Sequence, residues 1–284
     1  MINFILFHKG CNFPNHIRDC IKQIQHTQTN YKIYLLTDSK IVSNNDVTII
    51  DLNTLHINLL DNIDYYRNDN DPLWRSSFER FFYINEFIIK NKLNDIIHFD
   101  NDVLLYHNTS NIINILKTNV KCIGLTKHKE NEYVCGFMYI NNHYSLKRIC
   151  KLLLELAKLS TTELENKLGS MPHEMRLLGH ISTLCDDITH LPGTPRDENY
   201  SEFNYIFDPS SYGQYFGGSG DAPKLTVHRS NVNRLIDKYI INQTITPFID
   251  IQNKKPYIKY NNTIVPIFNL HIHSKQLVDF KTYS

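Results

Sequence analysis

The segment Ile96-Ile97-His98-Phe99-Asp100-Asn101-Asp102-Val103-Leu104-Leu105-Tyr106 constrains this chain more than any other. A strand-forming run ends in two aspartates one residue apart, and a second apolar run follows at once. Short apolar runs bounded by turn residues are the buried strands of an α/β sheet. Ligands of such sheets collect beyond the strand carboxyl ends. Two carboxylates delivered there offer hard oxygen donors to a divalent cation. D-x-D by itself also describes a solvated turn between two strands, so the rest of the chain must supply the partners.

The flanking pattern alternates strands and helices. Residues 2–7 read as a buried strand. Pro14 reads as a helix start, with Ile17, Cys20, Ile21 and Ile24 following at helical spacing. Residues 31–37 and 47–52 read as the next two strands. A long helix over 73–90 carries Phe78, Phe81, Phe82, Ile84, Phe87 and Ile88 around much of its circumference and is expected to be buried. Further strands are expected at 96–99, 121–125 and 134–140, and helices at 146–159 and 172–185. Residues 191–220 read as loop. Residues 256–260 and 263–272 flank Asn261-Asn262 as a β-hairpin, with Pro266 confining its second strand to an edge. The expected fold class is α/β: a Rossmann-like, doubly wound mixed sheet with helices on both faces and a C-terminal hairpin. No repeat or composition break marks a linker, so residues 1–284 are expected to form a single domain.

Bulk properties exclude several functions. With a formal net charge of +1, the chain has no general attraction to nucleic acid or an anionic membrane, so any phosphate binding must be local. Six cysteines occur without a C-x-x-C pair, which argues against zinc-ribbon and thioredoxin chemistry. No run approaches the roughly 18 apolar residues of a membrane span, and the N-terminus lacks the basic start of a secretion signal. A soluble protein of the cytosol is expected, of a host cytosol if the source is viral.

A second stretch, Asn269-Leu270-His271-Ile272-His273-Ser274-Lys275, places His271, His273 and Lys275 on one face if extended. Imidazole can complete a carboxylate metal site, and a lysine beside it can neutralise a diphosphate. The alternative is a polar strand face with two satisfied histidines.

Together, D-x-D after a mid-chain strand and H-x-H-S-K near the C-terminus resemble the nucleotide-sugar-dependent glycosyltransferases of the GT-A fold. The resemblance implies a metal-dependent enzyme moving a sugar from a nucleoside diphosphate sugar, most commonly a UDP-sugar, to a hydroxyl acceptor such as a glycan. It implies Mn²⁺ or Mg²⁺ as cofactor. Asp102 is then the surest metal ligand, Asp100 binds metal, ribose or both, and one of His271 and His273 is the third ligand. Lys275 contacts the diphosphate. Residues 1–106 become the nucleotide-binding half, and 107–284 the acceptor half and the C-terminal metal and phosphate segment.

The same resemblance implies an arginine on the helix before the D-x-D strand. Arg75 and Arg80 lie about 140° apart on a helix, so one faces the donor, and Arg80 is the choice. His8, Lys9, Thr37 and Asp38, at the first two strand ends, are candidates for the nucleoside. Gly136, inside a strand, marks close approach of the donor sugar or a bulge. The aromatic, glycine-rich stretch 207–218, with Tyr212 and Gln214, suits sugar recognition. An inverting enzyme would need a carboxylate base, for which Glu174 and Asp208 are candidates and Asp221 an alternative. The chain lacks the H-x-x-G-x-x-K-P-W ending of the glycogenin type, and no acceptor signature is present. The competing classes are a metal-dependent phosphodiesterase or nucleotidyltransferase, and a non-catalytic glycan-binding module.

Overall fold

The computed structural model describes residues 1–41, 46–55, 57, 72–217 and 234–283. Strand β1 (Ile2–His8) is buried along almost its whole length. Its alternate residues feed two different cores. Phe4 and Leu6 face a cluster with helix α1 (Asn15–Thr27), while Ile5 and Phe7 face the opposite one. A strand covered on both faces must be apolar throughout, which is why it reads as a continuous run rather than an alternation. β2 (Tyr31–Thr37) and β3 (Val47–Asp51) follow in parallel on one side of β1.

Helix α2 (Pro72–Asn91) then crosses to the other face, burying Phe78, Phe81, Phe82, Ile84, Phe87 and Ile88. It leads into β4 (Ile96–His98), which lies parallel to β1 on its free side. β5 (Val103–Leu105) and α3 (Ile113–Asn119) come next. β6 (Ile123–Lys129) and β7 (Glu132–Ile140) form an antiparallel pair, and β7 runs antiparallel to β4. Helices α4 (Lys147–Ala157), α5 (Thr161–Leu168) and α6 (Glu174–Leu184) add to the α2 face. β8 (Ile188–Leu191) completes a seven-stranded mixed sheet in the order β3-β2-β1-β4-β7-β6-β8.

Two short helices, α7 (Tyr200–Phe203) and α8 (Tyr212–Tyr215), interrupt the stretch read as loop. Beyond α9 (Asp237–Ile241), strands β9 (Ile245–Ile249), β10 (Pro256–Tyr260) and β11 (Thr263–Pro266) build a small antiparallel sheet. The expected hairpin is β10–β11. Asn261 and Asn262 both adopt positive φ, 46° and 62°, as a two-residue hairpin turn of this hand requires. β11 is an edge strand, as Pro266 demands.

One expectation needs correction. The run 263–272 is not one strand: it stops at Pro266, which has no N–H for a ladder, and β12 (Asn269–His271) joins another sheet. Its partner there is β5. A turn closed by Val103 N–H donating to Asp100 O (3.0 Å) takes it out of the main sheet, and it pairs antiparallel with β12. Strands β8 and β9 and helix α5, capped by a Ser160–Glu163 capping box, were not expected from the pattern. Among the described residues no helix is long and apolar enough to cross a membrane.

Helix α6 sits directly on the β6–β7 turn. A Cβ on Gly179 would lie 1.9 Å from the carbonyl oxygen of Asn131. Gly179→Ala must therefore push the helix off the sheet, with an expected loss of about 2–3 kcal/mol in urea denaturation.

Candidate metal and diphosphate site

The sheet order locates the cleft. From β1 the chain moves outward through β2 and β3, then returns to place β4 on β1's other flank. The reversal leaves a crevice at the carboxyl ends of β1 and β4, the position where open α/β sheets bind ligands. His8 and Lys9 end the first strand, and Asp100 follows the second. Asn101 Nδ2 donates to the Phe7 carbonyl (2.6 Å), tying the two ends together. A cleft of about 580 Å³ opens there, of the size small-molecule ligands occupy. Its walls include His8, Lys9, Arg80, Asp100, Asp102, Glu174, His271, His273 and Lys275, nine of the residues singled out from the sequence.

The ladder between β5 and β12 brings the two halves of the metal group together. His271 lies opposite Val103, and Ile272 N–H donates to the Asp102 carbonyl at 2.8 Å. His271 Nε2 therefore reaches Asp102 Oδ1 at 3.0 Å and Asp100 Oδ2 at 3.9 Å. Ligand atoms of Asp102, His271 and His273 all fall within 4.8 Å of one another. The buried His271 Nδ1 has no hydrogen-bond partner. One carboxylate and two imidazoles are a donor set that suits a divalent transition metal such as Mn²⁺, and the clustering fits such an ion.

The route to this cluster differs from a continuous strand face. β12 ends at His271, and the chain then turns, with Lys275 in the left-handed region (φ 60°) and its N–H on Ile272 O at 2.9 Å. His271 and His273 still share a side because their rings stack, with centroids 4.2 Å and planes 19° apart. His273 Nε2 also meets Ser210 Oγ at 2.7 Å.

Charges alternate across the site. Burial would raise the Asp102 carboxyl, but the adjacent His271 pulls it down to about 2. Burial would lower His271, and Asp102 reverses that, holding it at about 9. Desolvation of its ring and the neighbouring His271 push His273 down, so it stays neutral. An ion at this cluster would take the place of the His271 proton.

Arg80 is buried, ion-paired with Asp100 through Nη1 and 3.5 Å from Glu174 Oε1 through Nη2. Arg75, on the other side of the helix, pairs instead with Glu79 at 2.8 Å. Glu79 also pairs with Lys9, so one carboxylate serves two cations and the trio keeps a net positive charge beside the cleft. Glu174 opens α6, and burial outweighs Arg80 to raise its carboxyl to about 7. Its Oε2 is buried without a partner.

Several candidates lie elsewhere. Asp208 is fully buried and does not line the cleft. Its Oδ1 accepts from Ser211 N–H (2.7 Å) and Tyr212 N–H (2.8 Å), and its Oδ2 from Gly213 N–H (3.0 Å) and His271 N–H (2.9 Å). A carboxylate with four donors has no free lone pair for an acceptor hydroxyl, which removes the geometric basis for a base. Tyr212 is fully buried, its hydroxyl donating to Gly193 O at 2.9 Å, so its ring is not offered to a sugar. Gln214 is engaged internally, donating to Ser210 O (3.2 Å) and accepting from Arg234 Nη2 (2.5 Å). The close approach at Gly136 is to His271: a Cβ there would lie 3.0 Å from Nδ1. Thr37 is buried, and Asp38 anchors the loop after β1 by accepting Gly10 N–H at 2.7 Å. Asp221 lies outside the described residues.

The cleft also holds residues the motifs did not single out: His16, Trp74, His98, Met175 and Ser210. His98 was visible as the last residue of the apolar strand. Its Nδ1 meets Ile5 O at 2.8 Å, while the buried Nε2 is unpartnered. Burial, then Arg80, lower its pKa to about 4, so it stays neutral.

Two outcomes follow. Asp208→Asn turns an amide N–H₂ toward backbone N–H donors and is expected to cost about 3 kcal/mol in chemical denaturation. Glu174→Gln tests the raised carboxyl. Because the folded pKa exceeds the unfolded value, the folded state binds the extra proton between pH 4.5 and about 7, and stability falls as pH rises through that window. The glutamine variant should match wild type below the window and exceed it above, by about 3 kcal/mol, in thermal unfolding at the two pH values.

No protein-family model matches the chain, and no curated protein matches it. Among solved structures it is similar to an active-site mutant of LgtC, at 12% identity and a TM-score of 0.48, over 95% of this chain and 86% of that one. It is also similar to mouse xyloside xylosyltransferase 1 in its apo form, at 11% identity and a TM-score of 0.44, over 71% of this chain and 91% of that one. A third similarity is to the glycosyltransferase GlyE of Streptococcus pneumoniae TIGR4, at 12% identity and a TM-score of 0.42, over 84% of this chain and 58% of that one.

Proposed function

We propose that this chain is a metal-dependent glycosyltransferase that moves a sugar from a nucleoside diphosphate sugar, with UDP as the nucleotide, to a hydroxyl acceptor on a glycan. The observation that carries the reading is the convergence of Asp102, His271 and His273 ligand atoms within 4.8 Å, at the crevice beside β1 and β4. Those three residues would hold the ion, Mn²⁺ or Mg²⁺, with Asp100 able to join when it leaves Arg80. When bound, the ion supplies Lewis-acid stabilisation of charge on the departing diphosphate.

The chain's own residues do the rest. Lys275, lining the same cleft, adds a fixed positive charge on the diphosphate side. Asp38 and His8 frame the strand ends where the nucleoside would lie, and Lys9, which shares Glu79 with Arg75, keeps part of its positive charge there. Arg80 is held rigid and buried between Asp100 and Glu174, so it orients the donor at little entropic cost. Glu174 lines the cleft and its Oε2 has no hydrogen-bond partner, which supports a place for it beside the transferred sugar. In an inverting transfer it takes the acceptor's proton, for which a carboxyl near pH 7 is well matched. In a retaining transfer it is left to the sugar hydroxyls, and the anomeric NMR signal of the product separates the two. Asp100, Asp102, His271, His273 and Lys275 in one cleft favour catalysis over a sugar-binding module.

The test is a panel of nucleoside diphosphate sugars with and without Mn²⁺. The wild-type chain should gain thermal stability from Mn²⁺ plus nucleotide and slowly hydrolyse one donor in a metal-dependent way. Asp102→Ala should lower that turnover by at least about a hundredfold while still unfolding cooperatively. A chain that answers to no donor, with or without metal, is not a glycosyltransferase.

A further inference from the structure

A second cavity, of about 530 Å³, lies apart from the donor cleft. The sheet places it. β4 and β6 both run antiparallel to β7, so β6 ends on the same edge of the sheet as β1 and β4. The β6–β7 turn stands on that edge and lines the second cavity through Glu130 and Asn131, while the cleft opens at β1 and β4. The two share supports. Helix α6 gives Glu174 and Met175 to the cleft, and Arg176, Gly179, His180 and Thr183 to the second cavity. β7 gives Val134 to the first and Glu132 to the second.

The walls of the second cavity are fixed. Gly179 brings α6 onto the Asn131 carbonyl more closely than a Cβ would allow. The buried Glu132 accepts from Arg176 Nε at 2.9 Å and lies 3.5 Å from Lys129 Nζ, so one carboxylate serves two cations. Arg176 Nη1 also donates to Met171 O at 2.7 Å. Lys167, in the last turn of α5, brings a third cation, with no carboxylate partner among the described residues. The exposed Glu130 is the second carboxylate of the wall. Desolvation of the His180 ring, then the Lys167 ammonium, lower the His180 pKa, so these two groups stand close together. Three cations against two carboxylates, with the hydroxyls of Ser170 and Thr183 and the amide of Asn131, suit an anion rich in hydroxyls.

Glu174 and His180 lie on one helix, about 9 Å apart along its axis. That exceeds a single pyranose and is within the reach of an oligosaccharide. We propose that the second cavity binds the anionic residue of an acidic glycan acceptor, its carboxylate, phosphate or sulfate met by Lys167, while the terminal residue presents a hydroxyl at Glu174. The proposal rests on the transferase reading above and adds the acceptor class and a cation that selects it.

The full chain, with and without UDP plus Mn²⁺, is titrated with methyl glucuronide, methyl glucoside 6-phosphate and methyl glucoside 6-sulfate. Methyl glucoside and inorganic phosphate are the controls. Calorimetry gives the affinities, and NMR follows the His180 imidazole proton, assigned by its loss in His180→Ala. At least one acidic glycoside should bind saturably, shift that proton and raise the His180 pKa, and it should bind about tenfold or more tighter than methyl glucoside. Lys167→Ala should weaken the acidic glycoside by about tenfold, and Lys167→Arg should recover most of the loss. In transfer to disaccharides carrying the same acid, Lys167→Ala should raise the acceptor KM far more than the donor KM. Equal binding of acidic and neutral glycosides overturns the site, as does inorganic phosphate that binds as tightly as every acidic glycoside, or a Lys167→Ala variant that binds them unchanged. Acidic-glycoside binding that depends on Lys167, without turnover of any donor, keeps the site and removes the transferase reading. Donor turnover with His180 silent toward every acidic glycoside does the reverse.

Discussion

The candidate site depends on a carboxylate that never reaches it. Asp208 accepts four backbone N–H groups, three from the start of α8 and one from His271 itself. Removing a carboxylate from water is costly, and only a full set of donors offsets that cost. Asp208 has the full set, so the segment 208–213 and strand β12 are fixed to one another. The fit is close: a Cβ on Gly213 would lie 2.1 Å from the His271 carbonyl oxygen. The stretch with the composition of a sugar-binding loop is, in its described part, the rear wall of the candidate metal site. Its Ser210 hydroxyl meets His273, and its cap meets His271.

From that anchor the register of β12 against β5 decides the chemistry. In the observed pairing His271 lies opposite Val103, and its imidazole turns toward the aspartate just before that strand. A slip of one residue would send every side chain of β12 to the other face, exchanging His271 for Leu270 or Ile272. Gly136 on β7 protects the arrangement from behind, since any larger residue would meet His271 Nδ1. A two-stranded sheet of this size is marginal in isolation; Leu104, Leu105 and Leu270 hold it in the larger core.

Much of this was legible in the sequence, for reasons that differ by residue. Strands β1, β2 and β4 are covered on both faces, so their apolar runs announced them. The Asn261-Asn262 turn announced its hairpin through the backbone it requires. Asp102 and the two histidines came together as a candidate donor set only through the family resemblance, since each motif alone also reads as a solvated turn or a polar strand face. What could not be read was pairing between distant segments. Nothing local says that β5 abandons β4 for a strand more than 160 residues later, or that Pro266 divides one apolar run between two sheets. For the same reason Asp208 and Tyr212 looked available: composition reports which groups a segment carries, not whether its own backbone consumes them.

Arg80 gives the cleft its internal logic. It is a buried cation whose two amino groups reach opposite ways, one to the carboxylate beside the metal donors and one to the carboxylate that opens α6. Such a cation cannot serve both sides equally. While Asp100 holds it, Glu174 is poorly compensated and its carboxyl sits near neutrality. An ion held by Asp102, His271 and His273 would compete with Arg80 for Asp100 and leave the guanidinium freer toward Glu174. Occupation of the metal end would thus change the charge state at the Glu174 end, with no movement larger than a side-chain rotation. The guanidinium bridges the carboxylate beside the candidate metal donors and the carboxylate that opens α6, and its position on a deeply buried helix face keeps that bridge in place.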